Sequence, residues 1–147
     1  MAVHELFAYL CVGDADAAVG FYRDVFDAVE TLRLVDPGGR IGHVEVSIGG
    51  TTLMLCEEFP EYGIRQPAPG APSSVTIHVH VDDADRTIER ALGRGATLVM
   101  PPTDTFYGER SGVVRDPFGH RWNIGHHIED VSADEMQRRY LQLQAPC

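Results

Sequence analysis

Polar and apolar residues alternate through two separated stretches, Phe7 to Val12 and Val75 to Val81, and each alternation then gives way to a helical period. Alternation places successive side chains on opposite faces of a strand, whereas spacings of three and four align them on one face of a helix. In the first helix Val19, Tyr22 and Phe26 form the apolar stripe; in the second Ala84, Ile88 and Ala91 do. Asp14 and Asp83 stand where an N-cap oxygen accepts from an otherwise unpaired backbone N–H. Gly93 and Gly95 supply the permissive backbone that ends the second helix. Short strands follow around Thr31–Val35, His43–Ile48 and Thr51–Glu57, and again around Ala96–Met100, Gly112–Arg115 and Arg121–His126. Each half reads as βαβββ.

The halves are one unit written twice. Val12 aligns with Val81, Ala15 with Ala84, Asp16 with Asp85 and Val19 with Ile88, each pair 69 positions apart, and the same spacing carries Gly50 onto Gly119 and Leu53 onto Trp122. Arg65–Ser74, with three prolines and a glycine, reads as a connector. Ser132, with Glu135 three residues on, is a capping box, so a last helix is expected from about Ala133. Met136, Tyr140 and Leu143 lie along its side that meets the core or a second copy. The expected fold class is α+β: a first module over residues 1–64, the connector 65–74, a second module 75–131, and a C-terminal helix and tail 132–147.

Composition narrows the partners. A chain of 147 residues with 44% hydrophobic and 23% charged positions can bury a core without staples, and no apolar run reaches the length of a membrane span. The N-terminal stretch carries no basic region followed by a long apolar one, so a cytoplasmic location is expected. Twelve basic against 22 acidic residues give a net charge of −10, which opposes a nucleic-acid partner. Cys11, Cys56 and Cys147 are widely spaced and without CxxC, so neither a disulfide framework nor a thiolate metal site is expected.

The repeat, with "VGDADAAVGFYRDVF" after the first strand and "RDPFGHRW" before the last, resembles the vicinal oxygen chelate superfamily of glyoxalase, bleomycin-resistance and extradiol dioxygenase proteins. "GHVEVSIGG", "FYGERSGVVRDPFGHRW" and "HIEDVSADEMQRR" further resemble its PhnB-like branch. The resemblance implies two modules that form an open, barrel-like cavity, completed within one chain or across a homodimer. It also implies metal positions at Phe7, Met54, Thr76 and Asn123. Neither Phe7 nor Met54 offers a donor that would hold a hard divalent ion, so the usual metal is expected to be absent, with no cofactor.

Strand phase then assigns the cavity face. If Thr76 looks inward, so do His78 and His80, while Ile77, Val79 and Val81 meet the helix; the repeat gives Tyr9 and Cys11 the matching places. In "HVEVSI" the apolar set Val44, Val46 and Ile48 sends His43, Glu45 and Ser47 to the cavity, and Asn123 joins them from the last strand. The segment Asp104–Gly112 reads as a rim loop whose Tyr107 and Arg110 could stack on or pair with a ligand, or could instead close the barrel end and bridge local carboxylates. The expected ligand-binding set is Tyr9, His43, Glu45, Thr76, His78, His80, Tyr107, Arg110 and Asn123. His120, His126 and His127 fall at the turn and strand end, where surface or structural roles are expected.

These residues support binding of a small organic molecule, with antibiotic sequestration as one form. A second reading is a lyase, isomerase or dioxygenase. It would use His43 and Glu45 as an acid/base pair, or hold an unconventional ion on His78 and His80 with His43 or Glu45. A third is a vestigial cavity on a chain whose dimer surface matters.

Overall fold

The computed structural model describes residues 1–144, so Cys147 lies outside the described residues. The chain runs β1 (Ala8–Cys11), α1 (Ala15–Phe26), β2 (Val29–Val35), β3 (Ile41–Ile48), β4 (Thr51–Cys56), β5 (Thr76–His80), α2 (Ala84–Gly93), β6 (Thr97–Asp104), β7 (Glu109–Arg115), β8 (Arg121–His127) and α3 (Ala133–Gln144). Two four-stranded sheets result, ordered β1-β4-β3-β2 and β5-β8-β7-β6, and in each the first strand lies parallel to the last while the other pairs are antiparallel. The repeat holds down to the register. The pair Ala8–Leu53 recurs as Ile77–Trp122, and Tyr9–Met54 as His78–Asn123.

Both predicted caps form. Asp14 accepts from the backbone N–H of Ala17 at 2.9 Å, and Asp83 from that of Arg86 at 3.1 Å. The predicted stripes face inward: Val19, Tyr22, Phe26, Ala84, Ile88 and Ala91 are all buried. They join the core faces of both sheets in one apolar cluster, with the Phe26 and Trp122 rings 4.6 Å apart and Tyr22 and Trp122 5.3 Å apart. Ring pairs of this kind add about 1 kcal/mol each beyond the area they bury. Helix α1 of the first module thus packs on β8 of the second, and the opposite face of each sheet is left open.

One buried carboxylate ties this core together. Asp116 accepts from the Tyr22 hydroxyl at 2.6 Å and the Trp122 indole at 2.8 Å, while its other oxygen accepts from the backbone of Phe118 and His120, both at 2.9 Å. Burial, and then the Asp116 charge, push the Tyr22 phenol well above its ordinary value, which keeps it a donor. The turn Asp116–Gly119 therefore serves two purposes: it reverses the chain between β7 and β8, and it aims a carboxylate at the other module.

The expected rim loop is the main correction to the strand plan. Strand β6 continues to Asp104 and β7 begins at Glu109, so only residues 105–108 turn. The connector is not a loose tether: Arg115 donates to the Ala71 carbonyl at 2.7 Å. Helix α3 starts where the capping box places it, with Glu135 N–H donating to the Ser132 hydroxyl at 3.2 Å. Its docking is light, through Tyr140 on Phe106 and Arg139 on Glu129, and none of its residues is buried. Among the described residues no helix is long and apolar enough to cross a membrane.

Candidate functional site

The phase argument places the polar side chains on the open faces as expected, while Ile77, Val79 and Val81 pack against the core. The open faces carry two separate clusters, one per module. In the first, His43 Nε2 lies 3.0 Å from Glu45 Oε1, and the Tyr9 hydroxyl lies 2.7 Å from His43 Nδ1. An ionised carboxylate only accepts, so with His43 neutral Nε2–H donates to Glu45 and Nδ1 takes the Tyr9 proton donor. Residues two apart on a strand do not ordinarily touch; here they do, and β1 adds the phenol from across β4. Burial, with smaller contributions from Cys56 and Glu45, raises the Tyr9 phenol above its ordinary value.

The second cluster gathers on β5, β7 and β8. His80 Nε2 is 2.6 Å from Glu109 Oε1, His78 Nε2 is 3.3 Å from Glu109 Oε2, and the Asn123 amide NH2 donates to His78 Nδ1 at 3.2 Å. Thr76 shares this face at the start of β5, exposed and paired in register with Arg121. The Tyr107 hydroxyl reaches Ser111 Oγ at 3.3 Å, which puts the phenol beside the same face. Glu109 is the residue that the sequence reading missed, because it was assigned to a loop.

Arg110 takes the second of the two roles its segment allowed, the bridging of local carboxylates. It sits in β7 next to Glu109, so strand alternation points it to the helix side, where it bonds both Asp85 oxygens at 2.6 and 2.8 Å and Asp104 at 2.9 Å. Its guanidinium is engaged in holding α2 on β7 and does not line the open face. Of the three clustered histidines, His120 and His126 take structural roles and His127 lies at the surface. His120 Nε2 donates to the Cys11 carbonyl at 2.8 Å, His126 Nδ1 accepts from Ala84 N–H at 3.0 Å, and His127 pairs with Asp130 at 3.0 Å.

Between the modules lie two clefts. The larger, about 670 Å³, runs from the end of α1 to the start of α2 and includes His80; the smaller, about 340 Å³, is bordered by Thr51, Thr52, Ile77, His78, His80 and Trp122. Tyr9, His43 and Glu45 do not line either, so these clefts do not unite the predicted set. The four family metal positions also fail on chemistry: Phe7 and Met54 carry no hard donor, and Thr76 and Asn123 bring only neutral oxygens. Among the described residues the grouping with metal-ligand spacing is His78, His80 and Glu109.

Cys11 and Cys56 are register partners on β1 and β4, a proximity the sequence spacing conceals. Burial, and then the neighbouring Cys56, push the Cys11 thiol up to about 12, and burial raises Cys56 as well. Since the thiolate is the reactive form, both thiols are expected to resist iodoacetamide in the native protein at pH 8 and to label fully after unfolding, as read by mass spectrometry. Rapid native labelling of Cys11 would contradict that environment.

Residues 3–124 match the Glyoxalase/Bleomycin resistance protein/Dioxygenase superfamily. The uncharacterized protein Rv0887c of Mycobacterium tuberculosis is 42% identical over 134 residues, covering 88% of this chain and 78% of that one. The crystal structure of TioX from Micromonospora sp. ML1 superposes with a TM-score of 0.64 at 28% identity, covering 86% of this chain and all of that one. The fosfomycin resistance protein FosX from Mesorhizobium loti gives 0.67 at 20% identity over 95% of this chain and all of that one, a likeness of fold. With the doubled βαβββ unit, its repeated register and this match over most of its length, the chain belongs to the glyoxalase/bleomycin resistance/dioxygenase superfamily.

Proposed function

We propose that the chain binds a small polar or aromatic organic molecule against the open sheet faces, in the PhnB-like branch that its motifs resemble, and that a second copy closes the hollow. The observation that carries this reading is the character of the first module's open face. Hydrogen-bonding groups Tyr9, His43 and Glu45 lie beside the apolar Leu32 and Leu34, the register partners of Glu45 and His43, which are 41% and 55% exposed. Apolar walls with a few converging polar groups suit a small organic ligand. Sequestration of an antibiotic is one member of this class. No ion at Phe7, Met54, Thr76 and Asn123 is required.

A thermal-stability screen against planar aromatics and small organic anions tests this. A ligand at one hundred times its Kd should stabilise the native chain by about 2.7 kcal/mol, and His43→Ala should weaken its binding at least about tenfold. Silence across the panel would favour the reading in which the hollow is vestigial.

The Tyr9–His43–Glu45 contacts favour a second reading, proton transfer to or from a bound substrate. Glu45 fixes the imidazole tautomer and His43 Nδ1 accepts from the Tyr9 hydroxyl, so a proton that leaves the substrate for the Tyr9 oxygen can be matched by the phenol proton passing to the imidazole. For a substrate found to turn over, Tyr9→Phe should cost at least about 100-fold in kcat while affinity stays within a few fold. Unchanged kcat would remove Tyr9 from the chemistry.

A further inference from the structure

We propose that His78, His80 and Glu109 form a binding site for a first-row divalent metal ion, with Zn²⁺ as its reference occupant, at a place distinct from the four family metal positions. Two imidazoles and a carboxylate are a donor set these ions accept, and they leave coordination positions for water or substrate. The donor atoms already lie within 4.8 Å of one another, and the two His rings are 4.9 Å apart at an interplanar angle of 87°. Ligand bonds of about 2.0–2.1 Å arranged tetrahedrally separate donor atoms by roughly 3.3 Å. The 2.6 Å His80–Glu109 contact must therefore open by under about 1 Å, while the His78–Glu109 distance of 3.3 Å already suits an ion.

Three independent features support the assignment. Glu109 reaches β5 by lying across β8 at Gly125, where a Cβ would sit 3.2 Å from Glu109 Oε2 and 3.0 Å from Ser111 Cβ; the missing side chain makes room for the carboxylate. Glu109 Oε2 is itself buried without a hydrogen-bond partner, since His78 Nε2 stands 3.3 Å away but outside hydrogen-bond geometry. An unpartnered buried acceptor is costly, and an ion between Oε2 and the imidazole would satisfy it. The buried Asn123 Oδ1 is the other such atom. If the amide turns over, Oδ1 accepts from His78 Nδ1–H and leaves the Nε2 lone pair free, the arrangement in which a second residue fixes a ligating histidine. His80 then carries its proton on Nδ1.

Untagged, chelator-stripped protein titrated with Zn²⁺ alone by calorimetry, and with Co²⁺ by visible absorption, tests the proposal without any organic ligand, so it stands or falls separately from the binding reading above. The expected result is one ion per chain with Kd of about 1 μM or tighter. His80→Ala and Glu109→Gln should each weaken binding by more than about tenfold, with circular dichroism confirming the fold, whereas His127→Ala, at an exposed pair with Asp130, should leave it unchanged. Gly125→Ala, which crowds the carboxylate and removes no ligand, should also weaken it. Binding weaker than about 1 mM, or tight binding that survives both His80→Ala and Glu109→Gln, overturns the assignment.

Discussion

Asp116→Ala is expected to melt about 10 °C or more below the parent chain and to lose about 3–5 kcal/mol in chemical denaturation. Four donors converge on that carboxylate, and two of them, the Tyr22 hydroxyl and the Trp122 indole, are side chains with at most 1% exposure. Removing the acceptor strands both in the core, at about 1–3 kcal/mol each, and leaves the backbone N–H groups of Phe118 and His120 to find water. Asp116→Asn separates the two contributions. Its amide oxygen can keep the turn's backbone bonds, while its NH2 faces the indole N–H, so a loss of about 2 kcal/mol is expected. A loss below about 1 kcal/mol for the alanine variant would show that the network does not hold the modules together.

The consequence extends to function because Trp122 and Asn123 are neighbours on β8 with opposite facing. The indole is fixed in the core by Asp116, and the next residue presents its amide to His78 on the open face. Strand alternation thus makes one buried bond a positioning device for an exposed one.

The same alternation decided what could be read from the chain alone. Apolar periodicity located both modules, the capping aspartates located both helix starts, and counting by twos from Thr76 put His78 and His80 on the open face. What failed was information that lies between strands. Aromatic and glycine content made Asp104–Gly112 look like a loop; once β7 is seen to begin at Glu109, the parity of that strand sends Glu109 to the open face and Arg110 to α2. Glu109's reach to β5 needs the register that sets Gly125 opposite both Ser111 and His80, and no local pattern encodes the β5–β8 half of it, between strands far apart in sequence. The Cys11–Cys56 adjacency and the Tyr9–His43 bond are hidden for the same reason.

Gly108→Ala is the second large effect, and a comparison isolates its cause. Gly108 adopts φ +88°, and a Cβ there would lie 2.1 Å from the Glu129 carbonyl oxygen and 2.9 Å from Val131 Cγ2. Its own carbonyl accepts from the N–H groups of Ile128 and Glu129 at 2.9 and 3.1 Å, clipping the β6–β7 turn to the segment that leads into α3. Gly39 has the same φ of +88° with nothing within 4 Å of its would-be Cβ. Gly39→Ala should therefore report backbone strain alone, about 1–2 kcal/mol, whereas Gly108→Ala adds a backbone collision and should cost about 3–4 kcal/mol. Hydrogen exchange should show where the strain goes. Residues 128–131 are pushed outward, and α3, which has no buried residue to retain it, loses protection before the sheets do. Because Glu109 follows Gly108 directly, the same variant should weaken Zn²⁺ binding. Equal losses for the two alanine variants would mean that the clip yields freely and that the turn does not depend on the segment behind it.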